Sequence, residues 1–551
     1  MGLKVAAEKA LNDANFNAAE VIKWFSHNPP QTTNGYKYYL KALGLDVRNH
    51  LDLIDEAWIN SDFNDKDEKK FLEVYGKYLD KQTHMAKVDK LLWAANVTKA
   101  KSLLKLLTDH DKKVATTVIS LIDKSTDSKK IYNALPPLVK LDSLVLYYYL
   151  SRDTKCDKFN ADTLKLIFKA PIEIEHARKW WLLKSIYVRY FMQHKDFKSA
   201  YKLATSYGAK DSISIAEAEF LCGWIALTKL NKPALALAHF TNLHNNVSKS
   251  ISLSRAAYWI ARCYQKKSNN KLASDWFRKA AKFNYTFYGQ LALVELKQPR
   301  LSFHNTTTIG VYNDELFKAL DILVKYDKSD FAALFAIKII DSTQDANKIA
   351  SALELLKKCD KTDLVIKVAR EAAGKGIFLL DYAFPKPFEI KNPVVSKSLI
   401  YSIIRQESSF RQKVDINEDG MMQVIPTTAE RVSKHLKIPF DLNKIKSDFE
   451  HNIKIGSTYL KMLKNYYCGS YVLTISAYNA GESAADKWIG RYGDPRKMRD
   501  THQVVDWLEN IPYFTTRNYA QRVLENMQIY KYIAGEKTLS LKQDLITYHS
   551  R

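Results

Sequence analysis

The chain has 551 residues and a formal charge of +24, with 46% hydrophobic residues but only 17 glycines and 14 prolines. That length suits two or three domains, and the scarcity of turn-forming residues argues against a turn-rich all-β fold and for helices. No run of 18 apolar residues is present, so no membrane-spanning helix is expected.

The positive charge is spread along the chain rather than packed into a tail. Such a field attracts polyanions in general: nucleic acid, an anionic membrane surface or an acidic wall polymer. Charge alone does not choose among them. The five cysteines, Cys156, Cys222, Cys263, Cys359 and Cys468, form no short metal-type pair and are odd in number. They read as small buried hydrophobes, not as a zinc site or a disulfide framework.

The start, Met1 to Glu8, lacks the apolar stretch of a signal peptide. It fits either a cytoplasmic protein or a mature form with an added start. Residues 1 to about 300 read as one short helix after another. Gly223-Trp224-Ile225-Ala226-Leu227 is followed by Pro233 to Phe240. Tyr258-Trp259-Ile260-Ala261-Arg262 is followed by Leu272 to Phe277. Trp224 and Trp259 are 35 residues apart, near the period of helical-hairpin repeats, whereas Trp181 and Trp224 are 43 apart. Stacked hairpins bury each unit's apolar face on its neighbour and make a curved solenoid. The tryptophans are expected in its core. Residues 305–380 read as a further helical piece of different pattern. Pro385, Pro387 and Pro393 then punctuate the chain, and a second domain is placed from about 386 onward.

The first helix after that boundary is predicted from Ser396 to Ser408. Leu399, Ile400, Ile403 and Ile404 form its apolar stripe, and the next position on the stripe is Glu407. A carboxyl on a buried face, at a helix C-terminus, resists ionisation on both counts. That suits a general acid. It also fits a structural glutamate paired with a neighbour such as Arg405.

Gly420-Met421-Met422-Gln423 follows, with Gly420 permitting a tight turn with close backbone approach. Thr427-Thr428-Ala429-Glu430 fits a capping box opening another helix. A later helix carries Ile453, Gly456, Leu460 and Leu463 on one face. After it, Ala477-Tyr478-Asn479-Ala480-Gly481 places a glycine stop behind Tyr478 and Asn479, which sit where polar groups reach a cleft.

Taken in order, Glu407-Ser408-Ser409-Phe410, Gly420-Met421-Met422-Gln423, Asn452-Ile453-x-x-Gly456-x-x-Tyr459-Leu460 and Ala477-Tyr478-Asn479-Ala480-Gly481 resemble the soluble lytic murein transglycosylases. The catalytic domain of that family is similar to goose-type lysozyme. Glu509-Asn510-Ile511-Pro512-Tyr513 and Thr516-Arg517-x-Tyr519 resemble the branch that bears a large helical superhelix. Asp89 to Trp93 and Phe287 to Ala292 resemble features of that superhelix, so the likeness covers nearly the whole chain.

The resemblance implies a mainly all-α protein. It has an α-superhelical, U-shaped domain of stacked helical hairpins over 1–304, a helical linker domain over 305–385 and a lysozyme-like catalytic domain over 386–551. Glu407 matches the family's single catalytic acid/base. Gln423, Tyr478 and Asn479 match positions lining the glycan cleft, and Ser408, Ile425 and Thr515 complete the expected substrate-binding set. The implied reaction cleaves the β-1,4 bond between N-acetylmuramic acid and N-acetylglucosamine without water, leaving a 1,6-anhydro end, and needs neither cofactor nor metal. The implied partners are peptidoglycan glycan strands and other cell-wall enzymes, with no nucleic acid and no membrane span; a monomer and a periplasmic address go with them.

Two departures stand out. Glu407 and Gly420 are 13 positions apart, fewer than in the family, and the small-residue turn there is replaced by Asp415-Ile416-Asn417-Glu418-Asp419. These acids read first as a solvated surface loop; the alternative is that one of them serves as a second carboxylate, which would favour hydrolysis. Thr515 stands where the family commonly has glutamate. Gly481-Glu482-Ser483-Ala484-Ala485 mimics a nucleophile elbow without its final glycine, Gly374-Lys375-Gly376 is too short for a phosphate loop, and His435 and His451 lack ligand spacing. The competing readings are a muramidase that uses water and a non-enzymatic basic helical-repeat scaffold.

Overall fold

The computed structural model describes residues 2–44, 49–152, 154, 159–170, 175–303, 307–411 and 420–546. Among these, every regular element is a helix, apart from one isolated bridge between Arg300 and Thr538. No helix among the described residues is long and apolar enough to cross a membrane. The chain divides into two compact units, residues 1–187 and 188–551.

In the first unit, short helices pack on one another through large aromatics. Trp58 is fully buried on the helix Leu51–Asn60 and lies against Phe71 at 5.8 Å between ring centroids. Two buried charged groups here have partners. Glu8 accepts from the backbone N–H groups of Gln31 and Thr32 and from the Thr32 hydroxyl, at 2.8–3.1 Å. Lys87 donates to the Ser61 carbonyl, and burial pulls its ammonium down to about 8.

The second unit contains the expected hairpins: Ser212–Thr228 with Pro233–Asn245, then Ser250–Lys266 with Asn270–Ala281. Local chemistry sets their ends. Asp211 caps the Ser214 N–H at 2.9 Å, Pro233 stands in the first turn of its helix, and Asn269 caps Leu272. Trp224 and Trp259 have no exposed surface, as core packing requires. The helices Glu315–Lys325, Ser329–Ser342, Ala346–Lys357 and Thr362–Gly374 follow. The proline-rich stretch after Ala383 carries no helix until Lys397, and its backbone is pinned by Tyr401 and Tyr530, which donate to the Phe388 and Pro385 carbonyls.

The long helix Phe514–Ile533 is the centre of the last part. It packs against Lys397–Glu407, Tyr471–Ala480 and Phe287–Glu295. A buried ionic cluster ties this part to the hairpins. Glu509, with no exposed surface, accepts from Arg255 at 2.8 and 3.0 Å, from Gln521 at 2.7 Å and from the Tyr288 hydroxyl, with Arg517 at 3.5 Å. Burial opposes that charge, but Arg255 and Arg517 outweigh it and hold the carboxyl below the usual range. Phe287 and Gln290, from the same stretch as Tyr288, donate to Glu525. Two motifs far apart in sequence therefore meet at one joint.

The cysteines depart in part from expectation. Cys222 and Cys263 are buried, Cys359 is half-buried and Cys468 is exposed. Cys468 lies on the turn before Gly469 with a φ of 52°, outside the core. Cys156 falls outside the described residues.

Candidate active site

Glu407 is the last residue of the helix Lys397–Glu407. Ser396 caps its start and Ser408 ends it, matching the sequence reading. Leu399, Ile400, Ile403 and Ile404 are fully buried. Each contributes about 1.5–3 kcal/mol to anchoring the helix. Ser409 and Phe410 then take left-handed φ values of 54° and 64°, which turns the chain sharply beyond the carboxylate.

Arg405 is not the partner of Glu407. Its guanidinium donates to the Ala383 carbonyl at 2.8 Å and to Asn526 at 3.0 Å, and lies 3.8 Å from the centre of the Phe384 ring. The partner is Tyr519, on the helix Phe514–Ile533, whose hydroxyl donates to Glu407 Oε1 at 2.6 Å. Burial pushes the Glu407 carboxyl up to about 7, against the lowering pull of that hydrogen bond. Among the described residues, no charged side chain contributes to this shift. The result is an uncharged acid near neutral pH whose conjugate base has a donor already in place.

The loop facing Glu407 is built from the motif residues. Gly420 has φ 76°, and a Cβ there would fall 2.2 Å from Asn452 Nδ2 and 2.7 Å from the Ile445 carbonyl. Both the positive φ and the close approach demand glycine. Asn452, fully enclosed, accepts from the Met422 N–H at 2.7 Å and donates to Ile445 at 2.9 Å. A Cβ on Gly456 would meet Met422 Sδ at 2.5 Å. Asn452 and Gly456, four residues apart on the helix Phe449–Tyr466, thus hold and admit the same methionine. Tyr478 fixes its other side, donating to the Met422 carbonyl at 2.9 Å, and packs on Tyr459 at 5.4 Å.

Gln423 takes φ 51°, and its side-chain amide folds back onto the Gly420 carbonyl at 2.7 Å. Asn479 is exposed, beside the Gly481 stop, and accepts from the Thr516 hydroxyl at 2.7 Å. Thr515, the residue singled out in the sequence, is exposed on the first turn of its helix. Ser408 turns its hydroxyl back to Ile404 at 3.3 Å. Ile425 is 55% exposed and precedes the helix Pro426–Leu436. That helix corrects the expected capping box: it begins at Pro426, with Ile425 at the cap position and no side-chain cap. A proline in the first turn lacks the N–H that a helix start would otherwise leave unpaired, and it presets the helical φ. Glu407 and the Tyr478–Met422 turn both border Tyr519: burial raises its phenol most, and the charge of Glu407 and the hydroxyl of Tyr478 raise it further. The acidic stretch 415–419 lies outside the described residues.

Tyr519 and Thr516 were not among the expected site residues. Their signal was present in the Thr516-Arg517-x-Tyr519 motif, but no local pattern ties that motif to Glu407.

A single buried carboxyl on an all-α scaffold, faced by a glycine-hinged turn, defines a lysozyme-like site without a described second acid. Residues 388–500, the part of the chain carrying Glu407, match the family model of the transglycosylase SLT domain. The soluble lytic murein transglycosylase of Escherichia coli (strain K12) is 31% identical over 146 residues, 26% of this chain and 22% of that protein. The match thus spans about a fifth of that relative's length. Among solved structures, the 70 kDa soluble lytic transglycosylase from Escherichia coli aligns over 96% of this chain and 85% of its own, with TM-score 0.66 and 18% identity. An inactive Glu→Gln variant of the lytic transglycosylase Slt from Pseudomonas aeruginosa aligns over 100% and 92%, with TM-score 0.63 and 17% identity. At these identities the likeness concerns the fold, which is the expected all-α architecture of helical hairpins and a lysozyme-like domain. The resemblance read from the motifs, to the soluble lytic transglycosylases, holds by domain and by fold.

Proposed function

We propose that this protein is a peptidoglycan lytic transglycosylase that cleaves the β-1,4 bond between N-acetylmuramic acid and N-acetylglucosamine and leaves 1,6-anhydro ends. The observation that carries the proposal is Glu407: a carboxyl held up to about 7, with Tyr519 as its hydrogen-bond donor and no charged neighbour among the described residues.

Protonated Glu407 gives its proton to the glycosidic oxygen as the C1–O bond breaks, and the N-acetylglucosamine hydroxyl leaves. Positive charge develops at C1 of the muramyl sugar. The ionised Glu407, stabilised by Tyr519, then takes the proton of the C6 hydroxyl of the same sugar, whose oxygen closes on C1. The carboxyl ends protonated, ready for another turn. One group serves in turn as acid and base, unlike the usual two-carboxylate glycosidase. Gln423, Tyr478 and Asn479, with Ser408, Ile425 and Thr515, are proposed to line the glycan path. The division 1–304, 305–385 and 386–551 is proposed as the functional one, with the hairpins controlling access to the strand. A net charge of +24 suits an acidic wall polymer, and the murein in the Escherichia coli relative's name supports a periplasmic address for the proposed work.

The competing reading, a water-using muramidase, rests on the acids at 415–419. The test of the site is digestion of purified murein by the wild type and by Glu407→Gln. The glutamine cannot donate or accept the proton, so release of soluble fragments should fall by roughly 10²–10⁴-fold, the scale of general acid–base catalysis. Cleavage retained in the variant overturns the assignment.

A further inference from the structure

Two adjoining cavities, of about 280 and 270 Å³, lie along the helix Phe514–Ile533 and share Lys249, Ile251 and Arg522. Neither is lined by Glu407, Gln423, Tyr478, Asn479 or Tyr519. Five cationic side chains line them, Lys249, Arg255, Arg370, Arg405 and Arg522, against three carboxylates, Glu217, Glu371 and Glu525.

Most of these charges are matched. Lys249 pairs with Glu371 at 2.5 Å, Arg522 with Glu525 at 2.7 Å and Arg255 with Glu509 at 2.8 Å. Two are not. Among the described residues, Arg405 bonds only neutral acceptors, Ala383 O and Asn526 Oδ1. Arg370 has no ion pair among the described residues and is open to the cleft. Burial and the like charge of Arg522 press against the Arg370 charge, and the pull of Glu525 and Glu371 does not offset them. An anion entering here relieves that repulsion. The walls add Tyr285 and Phe378, stacked at 4.4 Å, and Phe384.

We propose that this cleft is a second binding site, separate from the glycan path, for a peptide arm of the wall polymer, with Arg370 as the main carboxylate-binding group and Arg522 beside it. This rests on the reading of the substrate as murein. A guanidinium fork matches a planar carboxylate in two parallel hydrogen bonds. Aromatic walls suit the methyl and methylene groups of a peptide better than a strongly hydrated inorganic ion. The acids at Glu217 and Glu371 disfavour a polyphosphate backbone. Two linked cavities fit several extended residues rather than one ion. Gln406, next to Glu407 in sequence, also lines the cleft, so an occupied cleft abuts the turn that carries the acid.

The experiment titrates the full chain carrying Glu407→Gln, by calorimetry, with three probes: a free stem tetrapeptide, the same peptide with its carboxyls amidated, and inorganic phosphate. The tetrapeptide should bind, and amidation should weaken it about ten- to a hundredfold, the scale of one charge-assisted hydrogen-bond pair. Arg370→Ala should do the same, with partial recovery in Arg370→Lys. In chains with Glu407 intact, Arg370→Ala should raise KM for peptide-bearing strands and leave kcat and the turnover of peptide-free glycan unchanged. Equal binding of the amidated peptide, or no effect of Arg370→Ala, overturns the proposal. Phosphate binding as tightly as the peptide overturns the peptide assignment in favour of a plain anion site. Because binding is read without cleavage, its loss with murein turnover intact condemns this inference alone, whereas an enzyme inert toward murein condemns the functional reading.

Discussion

Glu407 should make the protein less stable as pH rises, and Glu407→Gln should remove that dependence. The carboxyl titrates at about 7 when folded and at 4.5 when unfolded. At pH 4 both states hold the proton and the group costs nothing. Between 4.5 and 7 the unfolded chain ionises first, so folding stability falls. Above 7 both states are ionised and the full cost remains, about 3 kcal/mol at roughly 1.4 kcal/mol per pH unit. A neutral amide does not titrate. Urea unfolding of wild type and Glu407→Gln, followed from pH 4 to 8.5 or so, should therefore give a gap that widens with pH in the variant's favour, by about 3 kcal/mol. Most of the change should fall between the two titration points. A gap that stays flat with pH, or a wild type that gains on the variant, refutes the claim that burial keeps this carboxyl protonated.

Tyr519→Phe removes the one donor to Glu407 among the described residues. A hydrogen bond to a charged group is worth about 1.5–3 kcal/mol, so the carboxyl should climb by roughly one to two pH units. The alkaline limb of the pH–rate profile should move up by that amount, and an unmoved limb counts against the bond. Glu509→Ala strands Arg255 and Arg517 in the joint between hairpins and catalytic part; unfolding should become easier by about 3–5 kcal/mol, and a loss within error in chemical denaturation would dissolve the cluster's role. Gly420→Ala sets a Cβ against Asn452 and Ile445 at a positive φ. The φ alone costs about 1–2 kcal/mol, so thermal unfolding should show at least that loss, with turnover reduced; an unchanged midpoint contradicts the described turn.

The sequence was most legible where a local pattern carries the information. The helix Lys397–Glu407 follows from its apolar period and its serine cap, and Gly481 follows from the chemistry of helix ends. Gly420 was readable as a tight turn, but not that Asn452 and Gly456 serve that same turn from another helix. The partner of Glu407 was hidden, because Tyr519 is 112 residues away and Arg405 is only two. Local nearness suggested the wrong neighbour: residues two apart on a helix face different ways. Glu509 and Tyr288 both lay in quoted motifs, yet 221 residues separate them and only tertiary packing pairs them. The capping box failed for a local reason, since Pro426 opens its helix by itself.

The central claim is that the bond is broken by the substrate's own C6 hydroxyl and not by water. Digestion of murein in heavy-oxygen water, read by mass spectrometry, tests it directly. The account predicts muramyl ends lighter by one water than hydrolytic ends and free of solvent oxygen. Reducing muramyl ends carrying the heavy label would contradict it and make the protein a muramidase.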